Sequence, residues 1–164
     1  MAILILTTGG TFDKEYDELT GRLDFRSTHV PKMLTLGRCR LDVRVGSWRL
    51  RDSLELDDAD RAEIAAACRE APEHQIVVTH GTDTMVETGG AVARELAGLG
   101  KTVVLTGAMI PFAFGSSDGL FNLGSALSFV QVLPPGVYIA MNGRCFAWDD
   151  CRKNRELGVF ESLA

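Results

Sequence analysis

The sequence carries no excess of basic residues: 17 Lys and Arg stand against 22 Asp and Glu, for a formal net charge of -5. Nucleic acid and anionic membrane surfaces reward clustered cations, so neither is expected as a main partner, and a small polar molecule fits better. No apolar run approaches the roughly 18 residues of a spanning helix. No basic leader precedes the opening MAILIL, which reads as a strand rather than a signal peptide, so a cytoplasmic protein is expected. Cys39, Cys68, Cys145 and Cys151 lack the close pairing of a zinc or redox site. Ordinary reduced thiols are expected, with no metal and no cofactor, although Cys145 and Cys151 flank a tight segment. Internal repeats, low-complexity tracts and the dinucleotide-binding glycine fingerprint are missing too. At 164 residues a second full domain has no room, while one domain can bury most of its apolar surface unaided.

What is present is an alternation. Short runs rich in Val, Ile and Leu at Ile3 to Leu6, Leu41 to Val45, Ile76 to Val78, Val103 to Leu105 and Val137 to Ala140 read as buried strands. Helical patterns lie between several of them, at Asp58 to Ala71, Thr84 to Leu99 and Asp118 to Leu133. The second of these places Met85, Val92, Leu96 and Leu99 in register and opens with Thr84 and Glu87, a capping box. The third puts Leu120, Leu123, Leu127 and Val130 on one face and stops at Pro134 and Pro135, with Asp118 as its N-cap. Such alternation predicts an α/β fold: a single three-layer domain, flavodoxin-like or doubly wound, with a mainly parallel sheet. From Gly143 onward polarity is mixed and no element is assigned.

In a sheet of this kind ligands sit outside the carboxyl ends of the strands, so the residues just after each strand carry the functional argument. The first strand is followed by Thr7-Thr8-Gly9-Gly10-Thr11-Phe12, which reads either as a tight turn closed by its own hydroxyls or as backbone laid against a small ligand. The third is followed by His80-Gly81-Thr82-Asp83-Thr84-Met85 at a helix start. There Thr82 and Asp83 are left with no structural duty beyond dipole compensation, and His80 reads as a hydrogen-bonded structural residue rather than a base. After the fourth strand come Thr106-Gly107-Ala108-Met109 and Ser116-Ser117-Asp118-Gly119. The intervening Phe112-Ala113-Phe114, odd for an exposed loop, is expected to cover the crevice or meet another subunit.

Taken together, TTGGTF, HGTDTM, and LTGAM followed by SSDGLFNL resemble the bacterial-type L-asparaginases. The resemblance runs through nearly the whole chain, 1–164, but covers only the amino-terminal domain of the family pattern. It implies an amidohydrolase converting L-asparagine to L-aspartate, with L-glutamine a weaker substrate, and a homo-oligomer. By the same resemblance Thr11 is the first catalytic threonine and Tyr16 its partner, within a polar stretch from Asp13 to Arg26 that reads as a mobile lid or a plain surface loop. Thr82 and Asp83 form the second group, completed by Lys153. Gly10, Ser47, Gly81, Thr82 and Asp83 hold substrate, with Ser47 placed after the second strand and Trp48 standing where the family has a polar residue.

A threonine hydroxyl needs a base and oxyanion donors to cleave an amide, which these groups are expected to supply. The family's additional carboxylate, contributed by the carboxy-terminal domain of a neighbouring subunit, has no counterpart here; either Glu15, Asp17 or a residue from a second subunit is expected to compensate, or substrate is expected to bind weakly. A non-catalytic amino-acid sensor or assembly module, and an amidase acting on another substrate, stand beside this reading as alternatives.

Overall fold

In the computed structural model, which describes residues 2–164, the chain runs in the order β1 (Ile3–Gly9), β2 (Lys14–Asp17), β3 (Arg22–Phe25), α1 (Val30–Leu36), β4 (Val43–Arg51), α2 (Asp58–Glu70), β5 (Gln75–Thr79), α3 (Met85–Glu95), β6 (Thr102–Thr106), α4 (Gly119–Val132), β7 (Gly136–Met141), β8 (Arg144–Ala147), β9 (Arg152–Asn154) and β10 (Val159–Glu161). Six strands make one sheet in the order β4-β1-β5-β6-β7-β8, with β8 alone antiparallel to its neighbour. The expected α/β architecture is therefore present: a mainly parallel sheet flanked by four helices.

The sheet is covered on both faces, which is why its inner strands are apolar at successive positions. On β1, Leu4 and Leu6 join Ile64 and Cys68 of α2 and Met85 and Val92 of α3 in one core. Ile3 and Ile5 point the other way, into a second core with Val30 and Met33 of α1 and Leu123, Leu127 and Val130 of α4. The chain steps from β1 out to the edge at β4, then returns past β1 to β5 and continues outward, so strand order reverses between β1 and β5. Parallel strands diverge there in their connections and leave a crevice at their carboxyl ends.

Several local expectations are corrected. The second strand of the sheet covers Val43–Arg51 rather than 41–45, and Leu41 is exposed. As an edge strand it tolerates the outward charges of Arg44, Arg49 and Arg51, which pair with Glu73, Asp60 and Glu63. The capping box of α3 does not form, because Thr84 turns its hydroxyl away to donate to the Ser53 carbonyl at 2.8 Å. A capping box does close α2, between Asp57 and Asp60. Helix α3 ends at Glu95, and Leu99 lies exposed beyond it. Asp118 makes no side-chain cap to α4; its carboxylate instead accepts from the Met109 and Ile110 backbone N–H groups and from Asn122, all at 3.0 Å, and pins the loop after β6. On α4 the expected stripe holds for Leu123, Leu127 and Val130, whereas Leu120 is part exposed.

Candidate active site

Two glycines bring the turn after β1 against the turn after β5. Gly10 has φ 75° and ψ -176°, a conformation open essentially to glycine alone. A Cβ placed on it would overlap the backbone of Gly81, and a Cβ on Gly81 would overlap the Ser53 side chain. The Thr-Gly-Gly-Thr and His-Gly-Thr-Asp segments thus touch backbone to backbone at the point of strand-order reversal. Gly10 N–H also donates to the Arg51 carbonyl at 2.9 Å, which ties in the end of β4.

Around this junction the polar side chains divide by duty. Thr8 is buried and donates to the Thr79 carbonyl at 2.8 Å. His80 is fully buried between the Gly81 carbonyl at Nδ1 (2.7 Å) and the Thr88 hydroxyl at Nε2 (2.8 Å). Burial pushes its imidazole down to about 4, with the Gly81 hydrogen bond opposing and Arg61 adding to the fall. A neutral, doubly held imidazole is structural, as the sequence suggests.

Because the unfolded state takes up this proton near pH 6.5 and the folded state only near 4, stability is complete above pH 6.5. It is lost progressively as pH falls through that window, by about 3 kcal/mol at 1.36 kcal/mol per pH unit. Urea midpoints of wild type and His80→Gln between pH 7.5 and 4 are expected to show this slope only in the wild type. The difference between the two profiles cancels groups such as Asp13, whose burial-raised pKa acts in the opposite sense. Parallel profiles would contradict it.

Lys153 reaches the junction from β9. Its Nζ donates to Thr82 Oγ1 at 2.7 Å and to Asp83 Oδ1 at 2.9 Å, and its side chain is only 13% exposed. The adjacent Thr82 and Asp83 and Lys153, some 70 residues further along the sequence, are thus one hydrogen-bonded group. Arg155 Nη1 lies 3.2 Å from the same Asp83 oxygen.

Thr11 opens a short turn of 3-10 helix, Thr11–Asp13, directly after Gly10. Tyr16 is not gathered to it: it stands on β2, in the hairpin with β3, and is 57% exposed. Ser47 does not follow its strand but lies within β4, opposite Thr7, and its hydroxyl is 2.7 Å from the Thr7 hydroxyl. The neighbouring Trp48 donates to Glu63 on α2. The serine found beside Gly81 is instead Ser53, buried at the start of the 3-10 turn Ser53–Glu55 that follows β4.

Three residues at this site carry too little local signal to be singled out from sequence. Ser53 and Arg155 are two of them. The third is Asp13, whose buried carboxylate accepts from the His29 N–H (2.8 Å) and the Thr28 hydroxyl (3.1 Å) through Oδ1. It fastens the Thr11 turn to the start of α1. Glu15 lies 3.1 Å from His29 Nε2 and 4.0 Å from Arg26, and Asp17 accepts from Leu19 N–H at 2.9 Å to close its own hairpin turn. Neither acid stands free beside Asp83. Phe112 of the loop after β6 packs tilted against His29 with ring centres 5.6 Å apart, while Phe114 is half exposed.

The chain matches the family model described as asparaginase, N-terminal, over residues 2–162. It is 30% identical over 172 residues to the L-asparaginase of Thermococcus kodakarensis, which covers 99% of this chain and 51% of that protein. It is 40% identical over 135 residues to L-asparaginase 1 of Escherichia coli K12, covering 77% of this chain and 39% of that one. A glutamyl-tRNA(Gln) amidotransferase chain of Thermoplasma volcanium is 30% identical over 146 residues, 86% of this chain and 36% of its own length. A solved structure of the thermostable L-asparaginase from T. kodakarensis superposes with a TM-score of 0.82 at 30% identity, over 99% of this chain and 51% of that one. The chain thus spans about half the length of the first of these relatives and less of the others. Among the described residues no helix is long and apolar enough to cross a membrane.

Proposed function

The chain belongs to the asparaginase family, whose amino-terminal domain it matches, and from that premise we propose that it hydrolyses the side-chain amide of L-asparagine to L-aspartate and ammonia. The observation that carries this reading is the Thr82–Lys153–Asp83 group, closed at 2.7 and 2.9 Å beside the backbone junction of Gly10 and Gly81. Residues 2–164 act as one catalytic domain in this proposal.

A free amino acid brings a carboxylate, an ammonium and the scissile amide. The start of α3 and the surrounding backbone N–H groups suit the carboxylate. Asp83 suits the ammonium, since Lys153 and Arg155 both sit on Oδ1 and leave Oδ2 for substrate. Thr11 Oγ1 attacks the amide carbon, and backbone N–H groups of the paired turns stabilise the oxyanion. The hydroxyl proton passes by way of Tyr16 to the departing ammonia, and the resulting ester on Thr11 is cleaved by water to release aspartate. Thr82 and Lys153, with Asp83, orient and activate the attacking groups.

Tyr16 arrives by movement of the β2–β3 hairpin, which closes over the bound substrate as a lid. Since Glu15 and Asp17 are engaged elsewhere, the family's additional carboxylate is supplied by a second copy of the chain. The half-exposed Phe114 and the exposed Phe121 support self-association. Four free cysteines suit the reducing cytoplasm.

Purified protein is expected to release ammonia from L-asparagine in a coupled assay, and more slowly from L-glutamine. The two substrates differ by one methylene, worth roughly 1–3 kcal/mol in pocket fit. Saturable asparagine binding with no ammonia released would replace this reading with an amino-acid sensor. Release from other amides alone would favour an amidase of different substrate, a reading to which the amidotransferase relative lends some support.

A further inference from the structure

We infer that Arg155 is a positioning residue of this site, one that shares the Asp83 carboxylate with Lys153 and so eases the departure of the lysine proton. Its kinetic arm rests on the amidase reading above; the geometric argument does not. Lys153 Nζ at 2.9 Å and Arg155 Nη1 at 3.2 Å meet the same oxygen, Asp83 Oδ1. The two cations are therefore no more than roughly 6 Å apart, close enough for each to disfavour the other's charge.

Two effects act in one direction. Arg155 repels the ammonium, and it divides the attraction of Asp83 that would otherwise hold the proton on Lys153. A lysine that only donates to Thr82 and Asp83 cannot take a proton from a hydroxyl, so a base at this position needs such a neighbour.

The surroundings single out Arg155 for this duty. Facing Lys153 from the turn after β5 are Asp83 and the neutral Thr82. On its own segment are Arg152, Arg155 and Glu156, and on β10 is Glu161. Arg152 is matched by Glu161 at 2.9 Å, and Glu156 forms no ion pair among the described residues, which leaves Arg155 as the second cation on Asp83. Arg155 opens the turn that follows β9, which brings its guanidinium to the same Asp83 oxygen that Lys153 meets from the strand. Its side chain is 65% exposed, so packing gives no competing reason for its placement.

The test is the titration of Lys153 itself, one of four lysines in the chain. The ε-carbon resonance is followed by NMR in protein carrying ¹³C-lysine and assigned by its loss in Lys153→Met. In Arg155→Gln the midpoint is expected about one pH unit above that of wild type, and in Arg155→Lys close to wild type. In the active enzyme the acidic limb of kcat/KM is expected to move upward by the same amount, a roughly tenfold loss of rate below the limb.

An unmoved midpoint overturns the inference whether or not the wild type releases ammonia. A raised KM with an unmoved midpoint also overturns it, by making Arg155 an anchor for the substrate carboxylate. Wild type that releases no ammonia overturns the amidase reading instead, and the titration still decides the role of Arg155.

Discussion

Lys153→Met protein is expected to keep its fold and lose on the order of 10² to 10⁴ in turnover of L-asparagine, the usual worth of a residue that moves a proton in the rate-limiting step. The substitution removes the one side chain that bridges Thr82 and Asp83 while keeping the length and apolar stem of the lysine. Asp83 is not left as an isolated buried charge, because Arg155 stays 3.2 Å away and the carboxylate is partly open to water. That arrangement separates catalysis from stability: the unfolding midpoint should shift by no more than the ~1 kcal/mol typical of a partly exposed ion pair. Circular dichroism and urea unfolding report the second quantity and ammonia release the first. Undiminished turnover would remove the Thr82–Lys153–Asp83 group from the mechanism and leave the proton transfer from Thr11 to Tyr16 alone. A variant that unfolds would show that the group holds β9 to the sheet, and the gentler Thr82→Val would then carry the catalytic test.

The parts of this molecule that are legible in the sequence are those whose partners do not matter. β1, β5, β6 and β7 lie inside a sheet covered on both faces, so their central runs are apolar whatever stands opposite. The edge strand β4 is different. Arg44, Arg49 and Arg51 look like loop residues until Glu73, Asp60 and Glu63 are brought to them from α2 and from the turn after it. The polar hairpins β2–β3 and β9–β10 are unreadable for the same reason, since Lys153 and Asn154 become strand residues only through pairing with Phe160 and Val159.

Local motifs mislead where a distant acceptor competes. The Thr84 and Glu87 pattern has all the marks of a capping box, yet the Ser53 carbonyl, 31 residues earlier, takes the hydroxyl. Asp118 likewise serves the Met109 and Ile110 backbone rather than its own helix. At the site, Thr82 and Asp83 can be singled out because they stand at a strand end with no structural duty of their own, and Thr11 through the resemblance of its Thr-Gly-Gly-Thr segment. Ser47 is a less secure choice, because a Gly-Ser pair marks a strand end only if the strand stops there. β4 runs on to Arg51, and Ser53 takes the place beside Gly81.

Gly10→Ala is expected to be among the most damaging single-methyl changes in the chain. Its backbone, at φ 75° and ψ -176°, lies in a region closed to residues with a Cβ, which costs of the order of 1–3 kcal/mol. The added methyl would also drive into the Gly81 backbone. Backbone atoms cannot rotate aside as a flexible side chain does, so overpacking contributes a further ~1–3 kcal/mol. The two contributions together reach a large fraction of the roughly 5–15 kcal/mol that holds a domain folded.

The change also acts on the site directly. Relief of the overlap requires the turns after β1 and β5 to part, which moves Thr11 away from Thr82, and misplacement of a reacting group by about 1 Å can cost of the order of 10²-fold in rate. Gly21→Ala separates the two causes: Gly21 has φ 69° but nothing within 4 Å of an added Cβ, so it carries the left-handed strain without the collision. Urea midpoints are expected to fall about 3–5 kcal/mol for Gly10→Ala and about 1–2 kcal/mol for Gly21→Ala. Ammonia release should collapse only in Gly10→Ala, even at temperatures where that variant remains folded. Equal losses of stability in the two variants would mean that the turns after β1 and β5 are not held in contact, and the site assembled on that contact would lose its foundation.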